Sequence, residues 1–318
     1  MFAVRGSEGV FLHSFDGSSF QPVFQKPGSS SNQYCRVFQF SDDGHYFAFC
    51  DGVSTSVIDT KTMQEVLSLD LPRTTGLRFS PKGTLLLVFE VFAIRNQQIE
   101  PQPNLKVYDL KTGQCVLQYV QKKQKDWWPC FTEDEILSTR VQGSEIWFYQ
   151  DLNFDRYVSK LTLLNIAGYD LAPGPPPYHV ATYVPAQKGQ PCFVRLYKYP
   201  DFDSPSSAVA NKSFFKADRV DFRWNKKGTG ILVLSSCDVD KSNVSYYGEQ
   251  TLYLMLTSGD SFRVDLSKEG SIYSYEWSPN SKEFCVVYGC ELYFWFLWDC
   301  FEKLQTSNLD DRFRMSSS

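Results

Sequence analysis

The sequence is poor in the residues that build metal and disulfide frameworks. It has three His, no Cys-x-x-Cys, and Cys285 and Cys290 as its closest cysteine pair, which excludes the usual zinc spacings. Helix formers are scarce as well. Only ten Ala occur among 318 residues, whereas Phe, Tyr and Trp make up 16%, an exchange that excludes a helical bundle and favours strands. No apolar run reaches the roughly 18 residues of a membrane span. The start, Met1-Phe-Ala-Val-Arg5-Gly, lacks the basic stretch and apolar core of an export signal, so a soluble, cytoplasmic chain is expected. Positive charge is not in excess: the net charge of -4 leaves no global attraction to phosphate, and coating of DNA is excluded. Catalytic signatures are missing too. There is no Gly-x-Ser-x-Gly, no P-loop and no His-Glu-x-x-His, and His13, His45 and His179 lie far apart, so neither an enzyme nor a cofactor is expected.

What is present is a chain able to bury a core, with 42% hydrophobic and 21% charged residues, long enough for one or two domains. The nine cysteines, an odd number, sit mostly in apolar runs such as Tyr46-Phe-Ala-Phe-Cys50 and Glu283-Phe-Cys285-Val-Val-Tyr, as buried free thiols do in a reducing compartment. A repeat then organises the chain. Its unit is an aromatic residue, a polar turn with Gly or Asn, and a short apolar run: Phe40-Ser-Asp-Asp-Gly44, Phe79-Ser-Pro-Lys-Gly83, Trp224-Asn-Lys-Lys-Gly228 and Trp277-Ser-Pro-Asn-Ser. Weaker copies start at Phe131 and at Leu171, where the turn has become Ala-Pro-Gly-Pro-Pro-Pro. Anchors at 40, 79, 131, 171, 224 and 277 lie 39 to 53 residues apart, the period of propeller blades. Between them lie hairpin signatures, Asn104 to Tyr119 around Lys-Thr-Gly113 and Ser56 to Leu69, and strand-and-turn segments at Val194 to Tyr199 and Thr251 to Gly259. The pattern predicts an all-β propeller of about six four-stranded blades, with long inserts as loops on one face and a single short helix near Phe301 to Leu304.

Three segments carry candidate binding chemistry. Asp238-Val-Asp240-Lys-Ser242 through Glu249 places oxygens at positions 1, 3, 5 and 12 of a calcium loop, but Asn243 stands where the sharp turn needs Gly and both flanks read as strands, so an Asp-rich inter-strand loop is the better reading. Asn211 to Lys227 holds six basic residues (Lys212, Lys216, Arg219, Arg223, Lys226, Lys227) against Asp218 and Asp221. Bases interleaved with Phe214, Phe215, Phe222 and Trp224 suit RNA backbones and unstacked bases. The competing reading makes those aromatics blade core and the charges a solvated edge. Gln121-Lys122-Lys123-Gln-Lys125-Asp-Trp127-Trp128 is a shorter cluster of the same kind, open to the same two readings.

Several blocks have a further likeness: Val4-Arg-Gly-Ser, Asn104-Leu-Lys-Val-Tyr-Asp-Leu-Lys-Thr-Gly, Tyr183-Val-Pro-Ala-Gln-Lys-Gly, Phe193-Val-Arg-Leu-Tyr-Lys-Tyr-Pro, Asn211-Lys-Ser-Phe-Phe-Lys-Ala-Asp, Trp224-Asn-Lys-Lys, and Asp238-Val-Asp-Lys with Ser245-Tyr-Tyr-Gly-Glu-Gln-Thr-Leu. From Val4 to about Gly289 the chain resembles the N-terminal half of the eukaryotic translation initiation factor 2A family. The resemblance implies a nine-bladed WD-like propeller followed by a less ordered, partly helical segment. It also implies delivery of initiator methionyl-tRNA to the small ribosomal subunit, codon-dependent and GTP-independent, with no catalytic residue to carry over. After Gly289 the sequence departs from the family, so residues 1–289 are expected to form an incomplete and possibly open propeller, and residues 290–318 a divergent tail, as in a truncated form; Leu292 to Trp298 is too short for a bilayer and imitates a missing strand. The partners implied are the small ribosomal subunit, initiator methionyl-tRNA, mRNA and other initiation factors, without DNA or membrane. Candidate RNA contacts are Lys122, Lys123, Lys125, Lys212, Lys216, Arg219, Arg223, Lys226 and Lys227. The alternatives are a propeller that binds only proteins, or a non-functional truncated product.

Overall fold

A computed structural model describes residues 1–6, 8–27, 35–92, 101–122, 128–187, 190–202, 207–215, 217–237, 249–266, 270–289 and 295–299, the last segment as backbone only. Among these residues every regular element of length is a strand, and the strands form seven antiparallel meanders. Sheet 1 holds Phe2–Gly6, Gly9–Phe15 and Phe20–Pro27. Sheet 2 holds Val37–Phe40, Tyr46–Cys50, Thr55–Asp59 and Glu65–Leu69. Thr74–Phe79, Leu85–Glu90, Leu105–Asp109 and Cys115–Tyr119 make sheet 3. Cys130–Phe131, Leu137–Gln142, Glu145–Gln150 and Ser159–Thr162 make sheet 4. Sheet 5 is Gly168–Leu171, His179–Val184, Cys192–Lys198 and Ala208–Phe214. Sheet 6 is Arg219–Trp224, Gly230–Cys237, Glu249–Leu256 and Ser261–Arg263. Ile272–Trp277, Glu283–Tyr288 and Trp295–Asp299 form sheet 7.

The four-stranded up-and-down meander is the blade of a β-propeller, the fold the repeat predicts. Each anchor motif closes a first strand, turns, and opens a second, and each predicted hairpin is a third and fourth strand. Sheet 1 adds a seventh blade that carries no anchor. The strands Gly230–Cys237 and Glu249–Leu256 flank the Asp238 loop as expected, although residues 238–248 lie outside the described residues, as does the helix expected at Phe301.

Two compact units divide the chain, Met1–Leu137 with Gln150–Arg156, and Ser138–Tyr149 with Tyr157–Ser318. In the first, Leu85–Glu90 shows why the second strands are almost wholly apolar. Leu86 and Val88 pack with Ala48, Val57 and Leu77 on one face, while Leu85, Leu87 and Phe89 pack with Leu105, Val107 and Trp128 on the other. A strand covered on both faces needs no polar alternation. At about 1.5–3 kcal/mol per buried side chain, those five residues contribute on the order of 10 kcal/mol. In the second unit, Ala181, Cys192, Val194, Leu196 and Phe214 of sheet 5 pack on Phe222, Ile231, Val233 and Met255 of sheet 6, and Leu232, Leu252 and Leu254 pack on Tyr275, Phe284 and Val286 of sheet 7.

Candidate nucleic-acid interface

The basic block of the second unit runs from the fourth strand of sheet 5 into sheet 6, and strand alternation sorts its side chains. Lys212 pairs with Val194 and Phe214 with Cys192, so both face sheet 6. Phe214 is buried there, and the half-buried Lys212 ammonium lies 4.8 Å from the centre of the Tyr253 ring. A cation so placed is worth about 0.5–1 kcal/mol to the seam between the sheets. Burial raises the pKa of the Tyr253 phenol.

Along Arg219–Trp224, Phe222 points into the core and Arg219, Asp221 and Arg223 point out. Arg223 lies 3.4 Å from the Asp221 carboxylate and donates to the Phe222 carbonyl at 3.2 Å, with its guanidinium 5.9 Å from the centre of the Tyr275 ring. The Tyr275 hydroxyl donates to Asp221, and Trp277 Nε1 donates to the Arg223 carbonyl at 2.7 Å. Burial, followed by the hydrogen bond to Asp221, raises the pKa of Tyr275 strongly. Arg223 therefore belongs to the junction between the first strands of sheets 6 and 7. Its half-exposed ion pair adds little stability by itself.

Lys226 and Lys227 differ: both are exposed on the turn from Trp224 to Gly230, and no ion pair among the described residues engages them. The backbone beneath them is fixed. Asn225 is completely buried, accepts from the Thr229 and Gly230 amides at 2.9 and 3.3 Å, and donates through Nδ2 to Thr229 Oγ1 at 3.0 Å and to the Ser281 carbonyl at 3.2 Å. Gly228 has φ 65°, and a Cβ on Gly174 would lie 2.0 Å from the Lys227 carbonyl oxygen, so this turn rests directly on the Pro173–Gly174–Pro175 backbone. The Ser281 contact ties it to the matching turn of sheet 7, which exposes Lys282. Lys226, Lys227 and Lys282 thus stand on two latched neighbouring turns. The sequence reading passed over Lys282, which lies just beyond the Ser-Pro-Asn-Ser anchor at Trp277 and is visible once the anchors are aligned.

The contiguous block does not form one patch. Arg219 opens the first strand of sheet 6, Phe215 follows the last strand of sheet 5, and Lys226 and Lys227 lie beyond the end of that first strand, roughly 20 Å from Arg219 at about 3.3 Å per residue. Of the aromatics read as core, Phe214 and Phe222 are buried and Trp224 half-buried, whereas Phe215 is 99% exposed because its neighbour Phe214 takes the inward position. In the first unit Lys122 is exposed just after sheet 3, where Asn104 holds the backbone of Gln121 through bonds of 2.7 and 2.9 Å. Lys123, Lys125 and Lys216 lie outside the described residues. Among the described residues no cluster of His, Cys, Asp or Glu could hold a metal, and no helix is long and apolar enough to cross a membrane.

Comparison with known proteins matches residues 212–306 to the family model described as eukaryotic translation initiation factor eIF2A. The chain is 41% identical over 294 residues to eukaryotic translation initiation factor 2A of Caenorhabditis elegans, covering 91% of this chain and 51% of the relative. For the Schizosaccharomyces pombe protein of the same name the figures are 37% over 291 residues, 91% and 49%. The chain therefore spans about half the length of the curated relatives it matches. A solved structure described as that of the eukaryotic initiation factor superposes with a TM-score of 0.78 at 31% identity, over 93% of this chain and 70% of that one. Kluyveromyces lactis Hsv2, at 14% identity and a TM-score of 0.51, shares the fold, covering 88% of this chain and 79% of its own.

Proposed function

Since the chain belongs to the eukaryotic translation initiation factor 2A family, we propose that it acts in translation initiation as a non-catalytic cytoplasmic scaffold. It docks on the small ribosomal subunit and assists codon-dependent, GTP-independent delivery of initiator methionyl-tRNA, with mRNA and other initiation factors as further contacts. The propeller portion runs over residues 1–289, and residues 290–318 form a tail from which Trp295–Asp299 supplies the third strand of sheet 7. The observation that carries the reading is the pair Lys226 and Lys227, held out by a turn whose own hydrogen bonds are met without them. Lys282 widens that cationic edge, and Lys122, Lys123, Lys125, Lys212, Lys216, Arg219 and Arg223 remain candidates of second rank.

Phosphate contacts weaken linearly in log salt, at roughly 0.7–0.9 per contact. Two such contacts lower affinity by about tenfold between 50 and 200 mM salt, and a third by about threefold more. The test is co-sedimentation with small ribosomal subunits at both salt concentrations, comparing the wild-type chain with K226E/K227E. The expected result is salt-sensitive co-migration that the double variant loses. Unchanged affinity in a folded double variant refutes the placement, and binding indifferent to salt refutes RNA contact in favour of a protein partner, for which the fully exposed Phe215 is the natural anchor.

A further inference from the structure

The links that leave sheets 4 and 5 repeat one pattern. Ser159–Thr162 runs into Leu163-Leu164-Asn165-Ile166, and Ala208–Phe214 runs into Phe214-Phe215-Lys216-Ala217. Leu163, Ile166, Phe214 and Ala217 are buried, whereas Leu164 is 76% and Phe215 99% exposed. In both links an apolar residue turns in, the next apolar residue turns out, and a polar residue stands third. The backbone at each is held. The Leu163 amide donates to the Ser144 carbonyl at 2.8 Å and the Ile166 amide to the Leu163 carbonyl at 3.4 Å, with Asn165 at φ 59°. The Tyr183 hydroxyl donates to the Ala217 carbonyl at 2.7 Å, and the Asp218 amide donates to the Ser236 carbonyl at 2.8 Å. Leu164 and Phe215 thus project from fixed turns.

One exposed leucine is ordinary on a protein surface. Two large apolar residues at the same position of neighbouring sheets are not, and sheet 6 supplies the comparison. There the buried Val264 is followed by Asp265, which is exposed, so this position accepts a charge within the fold. Sheets 4 and 5 pack together, with the Phe148 and Phe202 rings 4.9 Å apart and the Tyr169 hydroxyl donating to the Thr139 carbonyl. Stacked sheets lie roughly 10 Å apart, so one partner surface can reach both side chains. We propose that Leu164 and Phe215 are the two anchors of a protein-docking surface, and that its occupant is an apolar groove of a partner protein rimmed by carboxylates. The rim follows from charge: around Phe215 the chain sets Lys212, Lys216 and Arg219 against Asp218, three cations to one carboxylate. A second copy would bring those cations against their like. RNA accounts for less, because a base can stack on Phe215 but Leu164 has no ring to offer. Two anchors of this size make the centre of a small, transient interface. The surface lies at the opposite end of Arg219–Trp224 from Lys226 and Lys227, so it stands independently of the RNA contact proposed there.

The photocrosslinker p-benzoylphenylalanine, placed at position 164 in one sample and at 215 in another, tests this in the whole chain. The probes are a ribosome-free cell extract and, in parallel, purified small-subunit RNA. Both positions should crosslink to peptides of one and the same extract protein, and K226E/K227E should leave those crosslinks unchanged. Once purified, that protein should bind L164D/F215D at least about tenfold more weakly than wild type, while the urea midpoint of the variant stays at the wild-type value, as Asp265 leads one to expect. L164N/F215N repeats the measurement should the aspartates unfold the chain. Crosslinks from position 215 to RNA with none from 164 would replace the protein by RNA. A crosslinked dimer of the chain would make the occupant a second copy, and no protein common to the two positions would mean that no such surface exists.

Discussion

Replacing Asn225 by Ala tests whether the exposed lysine turn is fixed by the residue beneath it. Asn225 makes four hydrogen bonds with one side chain and is completely buried. Thr229 is exposed, so its hydroxyl and amide can turn to water when the carboxamide is lost. Gly230 and Ser281 are buried, and the Gly230 amide and the Ser281 carbonyl each lose a partner. An unsatisfied buried group costs about 1–3 kcal/mol, so the expected loss is about 2–5 kcal/mol, seen as a lower urea midpoint with the slope unchanged. Asn225→Asp keeps the acceptor for both amides but turns an oxygen towards the Ser281 carbonyl. Its neutral form can donate to that carbonyl and its ionised form cannot, so its folded pKa lies above the unfolded value. The aspartate variant should thus approach wild type below the unfolded carboxyl pKa and fall progressively behind as pH rises through the folded one. An alanine variant within about 0.5 kcal/mol of wild type would behave like an ordinary surface substitution, and the clamp would be refuted.

Gly174→Ala places a methyl group 2.0 Å from the Lys227 carbonyl oxygen and 2.3 Å from its carbon, contacts relieved only by moving backbone, so a loss of about 1–3 kcal/mol is expected in the same urea titration. A change below about 0.5 kcal/mol would show that the two turns do not rest on each other. Burial lowers the pKa of His179 below 6.5, so below that pH the unfolded chain takes up a proton that the folded chain refuses. Stability is then fully present above about pH 6.5 and declines as pH falls towards the depressed folded value. His179→Gln should remove that portion of the decline, and pH profiles that coincide in shape would disprove it.

The repeat was legible because first strands, turns and second strands recur with an aromatic anchor, and the hairpins because Asp59 and Asp109 cap their turns through local hydrogen bonds. Sheet 1 escaped the anchor search because its three strands, Phe2–Gly6, Gly9–Phe15 and Phe20–Pro27, hold none of the six anchors. The basic block was read as contiguous because sequence distance hides the length of a strand, which separates Arg219 from Lys226. Period 2 alone would have placed Phe215 outside once Phe214 was inside. Lys212 and Arg223 look free in the sequence but lie against Tyr253 and Tyr275, aromatics that a linear reading assigns to other strands.

The anchor turns of the different sheets explain why two lysines could accumulate in one of them. In sheets 2 and 4 the residue opening the turn, Ser41 or Thr132, donates its hydroxyl to an aspartate two positions on, Asp43 at 2.6 Å or Asp134 at 2.5 Å. Those aspartates also accept the His45 and Ile136 amides. In sheet 7, Asn280 takes that place and accepts from Lys282. Sheet 3 has Lys82 there, and its ammonium donates to the Asp134 carbonyl while Glu135 accepts from its amide. In sheet 6 the corresponding residue is Lys227, and the acceptor duty has moved to Asn225, which serves the Thr229 and Gly230 amides directly. Once Asn225 meets the turn's demand, no side-chain hydrogen bond or ion pair among the described residues engages Lys226 or Lys227. K226E/K227E should therefore cost binding while leaving the urea midpoint within about 0.5 kcal/mol of wild type.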